Sequence, residues 1–147
     1  EKKCICVSTP EVIAKALENT GCYAVAVMDA RCNQVYTAQF DCLNGFKRVT
    51  EDSAITIDEL DEQLKLIDRE IVLIGDGTEV AYKKLKDIIP NIKTASPSIR
   101  YQSAADVALI AMEAYNEDSS IAVMPHEVLP NYLRLSQAER ELKNKNK

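Results

Sequence analysis

The stretch YAVAVMDARCNQVYTAQF, residues 23–40, decides the fold. Tyr23 to Met28 is almost wholly apolar, the pattern of a strand covered on both faces at the centre of a sheet. After a turn at Asp29-Ala30-Arg31-Cys32-Asn33, residues 34–40 alternate, with Val35, Thr37 and Gln39 on one side and Tyr36, Ala38 and Phe40 on the other. Two strands joined so closely must run antiparallel. Leu43-Asn44-Gly45 signals a second turn, and the charged stretch from Phe46 to Ile55 reads as a third strand at the sheet edge.

Upstream, Ser8-Thr9-Pro10-Glu11 supplies a cap, a first-turn proline and an early acid for a helix. Its apolar face is Val12, Ile13, Ala16 and Leu17, and Asn19-Thr20-Gly21 stops it. Downstream the apolar period changes from two to that of a helix. Thr56 caps a helix facing the core with Ile57, Leu60, Leu64 and Ile67, and Ile71 to Ile74 is a short buried strand. Gly75-Asp76-Gly77 makes a turn into a helix from Thr78 to Ile89 with Ala81, Leu85 and Ile88 inward, and Ile92 to Ala95 is a fifth strand. A last helix, Ser103 to Tyr115, carries Ala104, Val107, Ala108, Ala111, Met112 and Tyr115 at helical spacing and is expected to cover the sheet.

The order predicts an α/β fold with helices on both faces of a mixed five-stranded sheet, three strands antiparallel and then two parallel. Right-handed crossovers place the fourth and fifth strands beside the first. This is the ribonuclease H-like unit from which each lobe of an actin-like ATPase is built. A flavodoxin-like sheet needs helices between the first three strands, and the turns at Arg31 and Gly45 leave no room for them. Residues 1–139 are read as one lobe and residues 140–147 as a disordered basic tail.

At 147 residues, 46% apolar and 28% charged, the chain has the size and composition of one domain with its own core. A net charge of −5 argues against an autonomous nucleic-acid binder, which needs clustered Lys and Arg. The apolar run from Cys4 to Val7 is too short for a signal sequence or a membrane span, so no membrane association and a cytoplasmic location are expected. Five cysteines at positions 4, 6, 22, 32 and 42 have no CxxC spacing and read as free thiols in a reducing compartment. His126 is the one histidine, with no HExxH partner, and no GxSxG elbow is present, so neither a metal site nor a peptidase site is expected.

Three segments resemble the TsaB (YeaZ) family in order and spacing. Val27-Met28-Asp29-Ala30-Arg31 with Gln34-Val35-Tyr36 is similar to that family's DAR hairpin and VY strand. Ile71 to Gly77 is similar to its strand ending in GDG, and Pro130-Asn131-Tyr132-Leu133-Arg134 with Gln137-Ala138-Glu139 to its closing PxYLR and QAE signature. The resemblance runs from Ser8 to Glu139, while the family's N-terminal IDTS-like and GPGSFTG segments are absent, implying the C-terminal lobe of a longer protein whose N-terminal lobe is missing.

The resemblance implies a non-catalytic scaffold in the machinery that makes N6-threonylcarbamoyladenosine at position 37 of tRNA. It implies TsaD and TsaE-type proteins as partners, tRNA contact only indirectly, and homodimerisation through the missing lobe. By position in the actin-like fold, Asp29 and Arg31 fall near the phosphates of a bound nucleotide, and Gly75, Asp76 and Gly77 near its adenosine. Beside that stands a plain turn or packing role. No cofactor is expected in this lobe alone, with ATP or ADP confined to the full-length protein or complex. Tyr132, Leu133 and Arg134 are expected to fold back, Tyr132 and Leu133 burying apolar area and Arg134 reaching a carboxylate, or to touch a partner. The alternative function is the enzymatic lobe of an actin-fold ATPase or small-molecule kinase, and behind it a glycoprotease-like peptidase.

Overall fold

The structure is a computed structural model that describes residues 2–134. Gln137 to Glu139 and the basic tail at 140–147 lie outside the described residues. Helix α1, Thr9–Lys15, starts where Ser8 Oγ accepts the Glu11 N–H at 3.2 Å, and Asn19 and Gly21 turn the chain out of it at positive φ. Strand β1, Tyr23–Asp29, lies at the centre, antiparallel to β2, Gln34–Asp41, and parallel to β5, Ile71–Ile74. Strand β6, Ile92–Thr94, pairs parallel with β5 at the far edge.

The third strand of the meander is broken in two. Segments β3, Lys47–Arg48, and β4, Ser53–Thr56, both pair antiparallel with β2. Between them residues 49–52 bulge outward, because Val49 and Thr50 both give their N–H to the Gln39 carbonyl, at 2.8 and 3.3 Å. Arg48 fills the bend. Its guanidinium lies over the Phe40 ring and reaches Asp52 at 2.7 Å and Glu11 at 2.6 Å, fastening the sheet edge to the start of α1. The strand order is thus third, second, first, fourth, fifth, which is the ribonuclease H-like order.

Each face of the sheet has its own core. Tyr23, Val25 and Val27 of β1 point to one side, where helix α2, Ile57–Leu64, brings Leu60 and Leu64, and helix α3, Thr78–Leu85, brings Ala81 and Leu85. Ala24, Ala26 and Ala38 point to the other side. Their small side chains let α1 come close with Ile13, Ala14 and Leu17. Helix α2 begins on a reciprocal cap, Glu59 N–H to Thr56 Oγ1 at 3.1 Å and Thr56 N–H to Glu59 Oε2 at 2.7 Å.

Two sequence expectations about packing are corrected. Ile88 is half exposed and Ile89 is buried in its place. Helix α3 ends at Leu85, and Ile88 and Ile89 both bond the Leu85 carbonyl, so the tightened last turn rotates Ile89 inward. Helix α4, Ala104–Glu117, does not cover the sheet with the expected face. Val107, Met112 and Tyr115 are 38%, 60% and 45% exposed, and Ile110 is the one buried residue of the helix. The helix is held instead to α1 by Lys15, a buried ammonium that meets Glu113 at 3.0 Å and Glu18 at 3.2 Å. Among the described residues no helix is long and apolar enough to cross a membrane.

Candidate functional site

The DAR hairpin and the GDG turn meet on one rim of the sheet, at the C-terminal ends of β1 and β5. The hairpin tip is strained: Arg31, Cys32 and Asn33 are three successive non-glycine residues at φ 62, 52 and 61. It is held by the Ala30 N–H to Gln34 O bond at 3.0 Å and the Gln34 N–H to Arg31 O bond at 3.1 Å. Asp29 Oδ1 accepts the Arg31 N–H at 2.7 Å, an internal Asx-type turn. The Ile57 N–H donates to Asn33 O at 3.1 Å, so the start of α2 braces the tip. The Arg31 side chain is 87% exposed and passes Asp29 at 3.9 Å.

The GDG turn closes onto the end of β1. Gly75 sits at φ +118, where a Cβ would overlap the Val27 carbonyl, and a Cβ added at Gly77 would stand 3.0 Å from Asp29 N and Met28 C. The Gly77 N–H donates to Val27 O at 3.0 Å, and Asp76 Oδ1 accepts the Asp29 N–H at 3.1 Å. Thr78, fully buried, gives its hydroxyl to Gly75 O at 2.7 Å. Both aspartates of the two motifs are therefore bonded to main-chain N–H groups of the rim itself, and the space the glycines leave is filled by the neighbouring strand.

The closing segment reaches the same rim. The Arg134 guanidinium donates to the Ala30 carbonyl in the hairpin, a link between residues 104 apart that no sequence spacing signals. Its partner is a backbone carbonyl where a carboxylate was expected. Tyr132, expected to bury apolar area, is 84% exposed, and Leu133 is half-buried. Pro130 to Arg134 and Cys6 to Pro10 wall a cleft of about 570 Å³ whose floor includes Met28, Tyr36 and Asp52. Ser8 donates to Asp52 at 2.8 Å in this cleft. The glycines of the GDG turn do not line this cleft. His126 sits in an exposed single turn, Pro125–Glu127, and no cluster of three metal-ligating side chains occurs among the described residues.

The chain is 26% identical over 115 residues to the tRNA threonylcarbamoyladenosine biosynthesis protein TsaB of Bacillus subtilis strain 168, a match covering 77% of this chain and 48% of that protein. Two solved structures share its fold. One is described as an uncharacterized protein with similarity to peptidase YeaZ from Pseudomonas aeruginosa, with a TM-score of 0.64, 18% identity, and coverage of 87% of this chain and 57% of the other. The second is YeaZ from Pseudomonas aeruginosa, with a TM-score of 0.59, 17% identity, and coverage of 86% and 58%.

The chain is TsaB-like in sequence and YeaZ-like in fold.

No family model matches it. This TsaB-like chain spans about half the length of the curated relative it matches. The α/β architecture expected from the sequence, a mixed sheet clothed by helices on both faces, is the one observed, and the YeaZ structures share the fold.

Proposed function

We propose that this chain is the C-terminal lobe of a TsaB-like protein that acts, without catalysis of its own, in the synthesis of N6-threonylcarbamoyladenosine on tRNA. The observation that carries the non-catalytic reading is the state of the rim. Asp29 and Asp76 accept N–H groups from Arg31 and Asp29, and the positions where glycines would admit phosphate oxygens face the Val27 and Asp29 backbone instead. The role of the rim in this reading is to lock the hairpin to the sheet. Nucleotide contact by Asp29, Arg31, Gly75, Asp76 and Gly77 then requires a second lobe to close over them.

The scaffold reading is supported by α4. Val107, Leu109, Met112 and Tyr115 leave an apolar surface that the described residues do not cover, in a chain whose match reaches only 48% of its TsaB relative. In the intact protein that surface packs on the remaining half, and the assembled protein partners TsaD, where the chemistry takes place, together with a TsaE-type protein. The location implied is cytoplasmic.

Calorimetry tests the non-catalytic claim. ATP titrated into the chain at about 100 µM gives no saturable heat, and the isolated full-length protein gives no turnover. Tight ATP binding with turnover by the full-length protein alone would instead establish the enzyme lobe of an actin-fold ATPase or kinase.

A further inference from the structure

Cys22 and Cys42 stand opposite each other where the β1–β2 ladder ends, just beyond the pair Tyr23 and Asp41. Gly21, at φ +81, makes a bulge there: its N–H donates to Cys42 O at 2.9 Å while the Cys42 N–H donates to Cys22 O at 3.1 Å. One residue of β2 therefore faces two of the incoming strand, and both thiols enter the same apolar cluster beneath α1. They are 3% and 0% exposed, whereas Cys4, Cys6 and Cys32 are exposed elsewhere. Directly opposed residues of an antiparallel pair hold their Cβ atoms roughly 4.5–5.5 Å apart. A disulfide needs about 3.5–4.5 Å, so closing the bond asks for a small local movement.

The two thiols are also unequal. Thr20 Oγ1 lies 3.2 Å from the Cys22 sulfur, while Cys42 is fully buried. The neighbouring Cys42 thiol, with Thr20, holds Cys22 well below the usual thiol range, against the opposing effect of burial. The neighbouring Cys22, with burial added, pushes Cys42 up. A thiol next to the exposed Thr20-Gly21 turn, with a second, deeper thiol across the strand pair, is an arrangement that a reversible dithiol can use.

We propose that Cys22 and Cys42 are a reversible dithiol–disulfide pair that takes hydrogen peroxide as oxidant, Cys22 attacking and Cys42 resolving. The Cys22 thiolate bonds one peroxide oxygen, the O–O bond breaks, and the departing hydroxide takes up a proton and leaves as water. Cys22 is then a sulfenic acid. The Cys42 sulfur bonds Cys22, its proton passes to the sulfenic oxygen, and a second water leaves. Two thiols and one peroxide thus become one disulfide and two waters, two electrons passing to the peroxide. The product ties the start of β1 to the end of β2 and fixes the Gly21 bulge that leads out of α1. A transient bond of this kind is compatible with a reducing compartment.

The test is a peptide map of the wild-type chain after exposure to hydrogen peroxide, with free thiols blocked by N-ethylmaleimide in denaturant. The expected result is a digest fragment joining Cys22 to Cys42, lighter by about 2 Da than its reduced parts and lost on treatment with dithiothreitol. In Cys42→Ser the crosslink disappears, and dimedone traps the sulfenic acid on Cys22. Alkylation of Cys22 in the native chain rises with pH at a midpoint below that of a free thiol. Recovery of both Cys22 and Cys42 as blocked thiols, under peroxide exposure that oxidises an equal amount of free glutathione, would overturn the proposal. So would a map in which only Cys4, Cys6 and Cys32 are crosslinked.

Discussion

At Gly75 the Val27 carbonyl occupies the place of a side chain and φ is +118, while at Gly77 the backbone is ordinary and an added Cβ would meet its nearest atoms at 3.0 Å. Gly45 shares the positive φ of Gly75, at +109, but has nothing within 4 Å. The three alanine variants therefore separate strain from crowding. Gly75→Ala should cost about 3 kcal/mol or more, since strain and overlap add. Gly77→Ala should cost about 1–2 kcal/mol for crowding alone, and Gly45→Ala about 1 kcal/mol for φ alone. Urea unfolding of the three variants checks the order. The charged residue Asp41 carries a different prediction. The Arg69 guanidinium, at 2.7 Å, and then the Leu43 N–H hold its carboxyl below the usual carboxylate range. A depressed carboxyl contributes stability that is present above its unfolded value of about 4 and is lost as pH falls through the lower folded value. Asp41→Asn should accordingly flatten the fall in urea midpoint on the acid side of pH 4 and leave the Tyr23 stacking of Arg69 in place. Tyr132 is exposed enough that Tyr132→Ala should change stability by no more than about 0.5 kcal/mol. Lost assembly of the complex in that variant would then locate a partner contact at the tail.

Among the elements, β1 and the turn after it were legible because their signals are local. An unbroken apolar run, a turn too short for a crossover and a strict alternation leave one arrangement. The break between β3 and β4 was not legible, since it depends on Gln39 O accepting two N–H groups and on Arg48 reaching back to Glu11. Helix α4 was found but oriented wrongly for a physical reason. Val107, Leu109, Ile110 and Met112 spread apolar surface around most of its circumference, so spacing alone does not choose the buried side. The structure chooses Ile110, and the Lys15–Glu113 contact fixes the rotation. Two substitutions test this. Ile110→Ala should cost about 2 kcal/mol or more, whereas Met112→Ser should stay within about 0.5 kcal/mol in this chain. If Met112→Ser proved as damaging as Ile110→Ala in thermal unfolding, the helix would be facing the other way.

For the whole molecule, the sequence pattern carried the strand order and the meeting of the DAR and GDG turns on one rim. It did not carry the third member of that rim, the Arg134 link to Ala30, or the opposition of Cys22 and Cys42, which the β1–β2 register sets one step beyond Tyr23 and Asp41. Both depend on distant segments being brought together, which local propensity does not encode. The functional reading joins these levels: a rim whose carboxylates and glycines are occupied by its own backbone, a helix face left apolar, and a TsaB relative only 48% of which is matched. The most direct test is nucleoside mass spectrometry of tRNA incubated with TsaD, a TsaE-type protein, ATP and a threonylcarbamoyl donor, with and without the full-length protein carrying this lobe. Threonylcarbamoyladenosine should form only when that protein is present. Equal amounts of the modified nucleoside in its absence would contradict the assignment.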